Sequence, residues 1–300
     1  MSFSKLPEEL LREILAYALY IPHEDFCKPP KLDSAAAYCA NTDEARRSAS
    51  RCGLLLVSKR WLRVGTPLLY ECLRISRRKH ASKILKLLQA NPRVGSAVRC
   101  LRLEGTYSKK LVDIVKLTPK VQTLYIDMDL EASARINGLL RSIPLLNPQV
   151  LLVRDASRES NQQKREICNA IAECLNDGTW SALKTYTNLQ CARMTSRLAK
   201  ALRRAPGLHE LVLQTTEASQ WLAAGYMRKI AENPDLRWVT CCIASKSDET
   251  HRWILQEKLN EKRIPYETQK IFIFEPGSIP AASTSVSMPL RDCNAEERRR

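Results

Sequence analysis

Zinc binding is the first chemistry that the residue types suggest. His23, Cys27, Cys39 and Cys52 follow one another within a single stretch of the chain, and four nitrogen and sulfur ligands of this kind can hold a zinc ion. Their spacing is irregular, however, and no Cys-x-x-Cys or His-x-x-x-His pair occurs anywhere in the sequence. Because zinc sites depend on such closely spaced ligand pairs, we expect ordinary structural or surface cysteines and no metal.

Catalytic and phosphate-binding motifs are also missing. The sequence contains no Gly-x-x-x-x-Gly-Lys, Gly-x-Ser-x-Gly or Gly-x-Gly-x-x-Gly pattern, and its nine glycines are few for a loop that must cradle phosphates. Cys241 and Cys242 alternate along a predicted strand, so that one faces the core and the other faces away from it. A cysteine nucleophile would need a neighbouring base, which spacing alone does not supply. We therefore expect no enzyme activity and no cofactor.

Positive charge is concentrated in one band of the chain. Residues 51–100 hold 12 basic side chains and a single acidic one, Glu71, out of a total formal net charge of +16. Such a band attracts acidic partners. The eleven cysteines are dispersed, Glu8, Glu9, Arg12 and Glu13 interrupt any apolar leader, and no apolar stretch is long enough to span a membrane. These features predict reduced cysteines and a cytoplasmic or nuclear protein with no membrane contact.

The N-terminal residues predict a small helical module. Pro7 suits the first position of a helix, and Glu8 and Glu9 complement the positive end of its dipole. An apolar stripe at helical spacing follows at Leu10, Ile14, Leu15 and Leu19. A second helix is predicted from Leu54, Val57, Trp61 and Val64, and a third from Thr66-Pro67, with Thr66 as its cap. Three short helices bury little apolar surface, so we expect them to dock on a partner, on the rest of the chain or on both.

Three blocks of this module together resemble an F-box of the interrupted, fungal type. They are Leu-Pro-Glu-Glu-Leu-Leu-Arg-Glu-Ile-Leu at 6–15, Leu-Leu-Val-Ser-Lys-Arg-Trp at 55–61 and Pro-Leu-Leu-Tyr at 67–70. The insertion Ile21–Cys52 separates the first block from the second. The resemblance implies binding to the Skp-family adaptor of cullin–RING ubiquitin ligases. The positions that match the expected interface or its support are Leu6, Pro7, Glu9, Leu10, Ile14, Leu15, Val57, Trp61 and Leu69.

A second pattern repeats along the rest of the chain. An apolar strand motif begins at Val98, Val121, Val150, Leu183, Leu208 and Leu236, at intervals of 23, 29, 33, 25 and 28 residues. Helical stretches are predicted between these strands at Leu111–Leu117, Ala134–Ile143, Ile167–Leu175, Ser196–Arg204, Leu222–Glu232 and Arg252–Glu261, with a last strand at Ile271–Phe274. A strand and a helix that recur every 20–30 residues are typical of leucine-rich repeats. The repeats are degenerate, and irregular α/β packing is the alternative.

The predicted organisation is α/β, with a three-helix F-box followed by a leucine-rich-repeat-like solenoid. The F-box module is predicted at residues 1–75 with an inserted loop at 21–50, the repeat domain at 76–275 and a disordered tail at 276–300. A basic linker is predicted at Arg74–Lys86, across the boundary between the first two, and the strand repeats follow it. Alternating strand positions on the concave face are the expected substrate-binding residues. They are Arg102, Tyr125, Arg154, Thr187, Val212 and Thr240.

These features predict an interaction protein: a substrate-recruiting adaptor subunit of an SCF-type ubiquitin ligase. The F-box would bind the Skp-family adaptor, and through it a cullin scaffold, while the repeats hold an unknown protein substrate. One alternative is a nucleic-acid-binding protein that uses the basic band at 51–100. We do not expect it, because aromatic residues make up only 6% of the chain and no groove-reading or stacking motif occurs. The other alternative is an F-box protein that acts outside any ligase.

Overall fold

Seven parallel strands form one open sheet in a computed structural model of the chain. The structure describes residues 6–21, 26, 51–76, 78–105, 109–130, 134–155, 161–189, 194–214, 221 and 224–242. The strands lie in the sheet in the order in which they occur in the chain, and each pairs in parallel with the one before it. They are β1 (Cys72–Ile75), β2 (Cys100–Leu103), β3 (Thr123–Asp127), β4 (Val150–Arg154), β5 (Thr185–Leu189), β6 (Glu210–Gln214) and β7 (Trp238–Cys242). The predicted α/β class is confirmed.

Helices connect the strands, as parallel pairing requires. Helix α1 (Glu8–Leu19), the helical residues 51–55 and α2 (Lys59–Leu69) precede the sheet. The connecting helices are α3 (Arg78–Ala90) and α4 (Pro92–Ala97) after β1, α5 (Lys110–Leu117) after β2, α6 (Asn137–Ser142) with a 3-10 turn (Ile143–Leu145) after β3, α7 (Gln162–Asn176) after β4, α8 (Ser196–Arg204) after β5 and α9 (Tyr226–Ala231) after β6. Polar side chains cap two of them: Asn161 accepts from Lys164 N at 2.9 Å, and Thr195 accepts from Leu198 N at 3.1 Å.

The same pair of hydrogen bonds recurs where each strand begins. The carbonyl of Glu71, just before β1, accepts from the backbone amides of Arg99 and Cys100 at the start of β2. Five further carbonyls repeat this bifurcated contact with the next strand, at N···O distances of 2.7–3.1 Å; they belong to Arg99, Gln122, Gln149, Lys184 and His209. Every strand therefore enters the sheet with the same register to its neighbour, despite the unequal lengths of chain between them.

The main core lies on one face of this sheet. A row of apolar side chains crosses all seven strands in register: Leu73, Leu101, Leu124, Leu151, Tyr186, Leu211 and Val239, all of them buried. The helices pack on this row, with Trp180 fully buried among them and its indole donating to Ile143 O at 3.1 Å. Gly95 in α4 approaches the end of α5 so closely that a Cβ atom there would lie 2.1 Å from Leu117 O.

The sheet starts earlier in the chain than the sequence predicted. Arg74–Lys86, predicted as a linker, contains the end of β1 and most of α3. Cys72–Ile75 pairs with β2 and so belongs to the sheet, ahead of the boundary predicted at residue 76. The cause is the surrounding charge, since the run of basic residues after Ile75 hides a strand of only four residues.

The second and third predicted helices also have different bounds. The helical residues 51–55 end before a break at 56–58, and Ser58 caps a new helix by accepting from Trp61 N at 3.2 Å. That helix, α2, continues through Pro67. Thr66 is therefore not a cap, and its hydroxyl donates instead to Leu62 O at 2.6 Å. Leu68 and Leu69 pack on the neighbouring apolar core, which favours a helix that continues past the proline.

Among the other predicted elements, Ala134–Ile143 and Leu222–Glu232 begin ahead of α6 and α9, which start at Asn137 and Tyr226. Ser196–Arg204 has its predicted bounds, and the predicted Leu111–Leu117 falls within α5. Arg252–Glu261, Ile271–Phe274, the tail at 276–300 and most of the inserted loop at 21–50 are not among the residues that the structure describes. Across the described ranges, no helix combines the length and the apolar character needed to cross a membrane.

Candidate protein-binding surfaces

The helices that precede the sheet have a small apolar core of their own. Leu11, Leu15 and Leu19 of α1 lie buried against Leu55 and Val64, and we call these five residues the N-terminal core. Leu6, Leu54, Trp61, Leu68 and Leu69 are partly buried against it. The absence of a side chain at Gly65 lets α2 approach closely, because a Cβ atom there would lie 2.3 Å from Leu55 Cδ2. The helices therefore hold a defined arrangement around one set of leucines.

Polar contacts fasten α1 to the residues that follow the insertion. Arg63 donates to Glu8 Oε2 at 2.5 Å, Arg60 donates to the carbonyl of Leu6, and Arg51 donates to Tyr20 O at 3.3 Å. Arg63 and Glu8 are both more than half exposed, so water screens this ion pair and its contribution to stability is small. The arrangement of α1 depends mainly on the leucines, and the arginines fix its ends.

A second apolar stripe of α1 faces away from the N-terminal core. Leu10, Ile14 and Tyr17, spaced four and three residues apart, are 47%, 49% and 90% exposed. We call these three residues the α1 outer stripe. Seven of the eight exposed large apolar side chains in the described part of the chain belong to the residues before β1; besides the stripe they are Tyr20, Leu56, Val57 and Leu62. Exposed apolar side chains are typical of interaction surfaces when they form one patch, so this part of the chain is the candidate protein-binding surface.

The nine residues predicted to bind the adaptor fall into three groups. Exposed side chains are those of Pro7, Glu9, Leu10, Ile14 and Val57, while Leu6, Trp61 and Leu69 are partly buried against the N-terminal core. Leu15 is 0% exposed, so it supports the surface from within and cannot contact a partner. The sequence missed Tyr17, Tyr20, Leu56 and Leu62. Tyr17 could have been found, since it continues the helical spacing of Leu10 and Ile14.

Five of the six predicted substrate-binding residues do form one row across the sheet. Arg102, Tyr125, Thr187, Val212 and Thr240 lie in register on the face opposite the main core, which we call the outer face. On β4 this position belongs to Leu152, however, and Arg154 lies two residues further along, between Asp127 and Leu189. The prediction slipped because Val150, Leu151, Leu152 and Val153 are all apolar, so no alternation marks the register. A slip of two residues preserves the face but changes the neighbours.

All six residues are buried, and Phe26 packs on the centre of their face, with Ile21 partly buried against it. It packs with Tyr125, Leu152 and Leu189, and we call these four side chains the Phe26 cluster. The guanidinium of Arg102 donates to the carbonyl of Phe26. In this structure, therefore, a ligand that used this part of the outer face would have to displace Phe26.

Charged side chains border the Phe26 cluster as buried or half-buried ion pairs. Glu104 accepts from Arg74 at 2.8 Å and from Arg102 at 2.6 Å. On the next strands, Arg154 donates to Asp127 at 2.9 Å, with Arg154 1% exposed and Asp127 7% exposed. Burial raises the pKa of the Asp127 carboxyl above its ordinary value, although the Asp129 amide and Arg154 both favour its charged form. Removing one member of such a pair leaves a buried charge, which costs about 3–5 kcal/mol.

The basic band presents one ordered stripe on a helix. Lys79, Lys83 and Lys86 are exposed on α3, four and three residues apart, so they share a face of that helix. We call these residues the α3 lysine stripe. Arg77, which the sequence places at the centre of the band, lies outside the described residues, and so does the side chain of Arg78. The stripe can attract an acidic surface, but the residues that surround it form no groove-reading or base-stacking arrangement recognisable from the sequence.

No metal-binding cluster of three or more histidine, cysteine or acidic side chains occurs in the described ranges. Of the four residues considered for zinc, only Cys52 falls within those ranges, where it is exposed. Comparison with protein-family models, with curated proteins and with solved structures found no match to this chain.

Proposed function

We propose that the chain is an F-box-type adaptor that docks on a Skp-family protein through the helices before the sheet, and that recruits a protein substrate to a cullin–RING ubiquitin ligase. The observation that carries the proposal is the α1 outer stripe. Leu10, Ile14 and Tyr17 remain exposed although the opposite side of the same helix supplies three leucines to the N-terminal core. A helix with two apolar sides gains most when both are covered.

Charge complementarity favours an acidic partner for this surface. Arg51, Lys59, Arg60 and Arg63 lie among the exposed apolar residues Leu56, Val57 and Leu62 in the chain. The F-box resemblance implies an adaptor of the Skp family, which is acidic. Basic side chains around an apolar centre speed the encounter with such a protein, while the buried apolar contacts provide the affinity.

The sheet supports a leucine-rich-repeat-like solenoid as the second part of the adaptor. Seven strands that follow chain order, with a helix after each of the first six, are what stacked strand–helix repeats produce. The bifurcated hydrogen bonds at the strand entries, from Glu71 O to His209 O, repeat once per unit. In this proposal the repeats hold a substrate near the ligase, and the effect is one of raised local concentration rather than chemistry.

The test is calorimetric titration of the full chain with a recombinant Skp-family adaptor. The double substitution Leu10→Ala and Ile14→Ala should weaken binding by at least ~2 kcal/mol, because truncated anchors at an interface lose that much. Leu145→Ala is the matched control: Leu145 is 48% exposed, like Leu10 and Ile14, but lies in the 3-10 turn between α6 and β4. Failure of the unsubstituted chain to bind, or equal binding by the double variant, would refute the proposal.

A further inference from the structure

Two cysteines face each other on neighbouring strands at the start of the sheet. Cys72 of β1 is the register partner of Cys100 of β2, and both are thiols rather than halves of a disulfide. They are partly exposed and pack against the edge of the Phe26 cluster. Their side chains are joined by a hydrogen bond, and Thr123 of β3 adds a second hydrogen bond to Cys100. The proposed adaptor function makes no use of this pair.

Strand geometry puts the two thiols within reach of one covalent bond. Neighbouring strands lie about 4.7–4.9 Å apart, and disulfides join Cα atoms about 4.4–6.8 Å apart. Cys168 and Cys174 are unlike this pair, because their six-residue separation on α7 corresponds to about 9 Å along the helix axis. Cys52 is exposed on the helical residues 51–55, ahead of the sheet.

The pKa of the Cys100 thiol also indicates which of the two cysteines reacts first. The hydrogen bond from Cys72 lowers the pKa of the Cys100 thiol below its ordinary value; burial acts in the opposite direction, Thr123 assists, and the charge of Glu71 opposes. Cys168 and Cys174 lie at the other extreme, where burial raises the pKa of each thiol to about 12. Because the thiolate is the attacking form, Cys100 should react first and Cys72 should then resolve the product.

We propose that Cys72 and Cys100 form a dithiol modification site that reacts with low-molecular-weight disulfides, such as oxidised glutathione, to give a reversible disulfide between β1 and β2. The Cys100 thiolate attacks one sulfur of oxidised glutathione, which forms a mixed disulfide and releases one glutathione thiolate. Cys72 loses its proton to solvent, and its thiolate attacks the Cys100 sulfur and releases the second glutathione. Two protein thiols are oxidised by two electrons, one glutathione disulfide is reduced to two thiols, and the two protons end on the released glutathiones.

The bond should be easily reduced again. Side chains at register positions of parallel strands stand apart by roughly the strand spacing of about 4.8 Å, whereas disulfide Cβ atoms lie about 3.5–4.5 Å apart. Closing the bond therefore pulls β1 towards β2, and such a constrained disulfide has a more oxidising potential than a relaxed structural one. Since β1 follows α2 directly, the modification would act at the junction between the N-terminal helices and the sheet.

The experiment uses the full chain, reduced, freed of reductant and then incubated with oxidised glutathione. After remaining thiols are alkylated, trypsin should yield residues 64–74 linked to residues 100–102 through one disulfide, which dithiothreitol removes. The linked pair should form at least ~10-fold faster in folded protein than in urea, because only the fold holds the thiols together. Cys72→Ser should retain a glutathione adduct on Cys100, Cys100→Ser should react far more slowly at Cys72, and Cys168→Ser should behave as the unsubstituted chain.

Three results would overturn the inference. The first is stable glutathione adducts on the unsubstituted chain without the linked peptides. The second is a linked pair that forms no faster in folded protein than in urea. This comparison uses only the unsubstituted chain, so it does not depend on whether a variant folds. The third is preferential pairing of Cys52 with either residue. None of these results bears on adaptor binding by the α1 outer stripe, so this inference and the proposed function fail independently.

Discussion

The guanidinium of Arg102 lies over the ring of Tyr125 on the neighbouring strand, 4.3 Å from the ring centroid. The same guanidinium bonds Glu104 and the carbonyl of Phe26, whose side chain covers Tyr125. Stacking, ion pairing and a hydrogen bond thus converge on one buried side chain. The position that the sequence nominated for substrate contact is therefore also a centre of packing within the chain itself.

Phe26 should contribute to stability as a core residue does, although it lies within the inserted loop. It is 6% exposed, so Phe26→Ala should lower the free energy of unfolding by about 3 kcal/mol, as large-to-small substitutions in cores do. Urea denaturation followed by circular dichroism measures the change. Phe26→Leu is the control and should lose less than half as much. Equal stability of Phe26→Ala and the unsubstituted chain would mean that Phe26 does not occupy the cluster in solution.

Tyr17 and Leu15 should separate binding from folding on the same helix. Tyr17 is 90% exposed, so Tyr17→Ala should change the free energy of unfolding by no more than about 0.5 kcal/mol. It should nevertheless weaken adaptor binding by about 1 kcal/mol or more, since Tyr is a frequent interface anchor. Leu15 is 0% exposed, and Leu15→Ala should cost about 2–5 kcal/mol of stability. A Tyr17→Ala variant with full affinity would remove Tyr17 from the proposed interface.

Gly95 should tolerate no side chain. The Cβ of an alanine would lie 2.1 Å from the backbone oxygen of Leu117, and backbone cannot rotate away as a side chain can. Gly95→Ala should therefore lower the free energy of unfolding by about 1–3 kcal/mol or more. Gly53→Ala is the matched control, because nothing lies within 4 Å of its Cβ position. In its helical setting that substitution should be neutral or stabilising by up to about 1 kcal/mol. Equal effects at both positions would contradict the close contact between α4 and α5.

The α3 lysine stripe should act on association rate rather than on nucleic-acid recognition. Changing Lys79, Lys83 and Lys86 to Ala should chiefly slow adaptor binding, most clearly at low salt, as the loss of electrostatic steering does. Stopped-flow mixing at several salt concentrations measures this. If the stripe instead binds phosphates, the plot of log affinity for DNA or RNA against log salt concentration should have a slope that is shallower by up to about three units in the variant. Sequence-preferring binding that persists at about 0.2 M salt would favour the nucleic-acid alternative.

Local patterns in the sequence were sufficient for the elements that alternate or repeat clearly. The helical spacing of Leu10, Ile14, Leu15 and Leu19 predicted α1, although of these four only Leu15 and Leu19 are buried and the buried Leu11 was not predicted. The apolar strand motifs that recur from Val98 to Leu236 predicted β2 to β7 in the same way, because both patterns depend on residues close together in the chain. For the same reason the helix at Ser196–Arg204 was predicted to its ends, since Thr195 caps it locally.

Tertiary structure alone decided the register of β4, the inclusion of β1 in the sheet and the packing of Phe26 on the outer face. The run Val150–Val153 is apolar at every position, so only hydrogen bonding to β3 and β5 fixes Leu152 beside Tyr125 and Arg154 beside Asp127. Cys72–Ile75 becomes a strand because β2 pairs with it and the amides of Arg99 and Cys100 donate to the carbonyl of Glu71 just ahead of it, not because of its own composition. Phe26 reaches the outer face from a position 76 residues before Arg102. Contacts between such distant positions depend on how the whole chain packs, and no local periodicity encodes them.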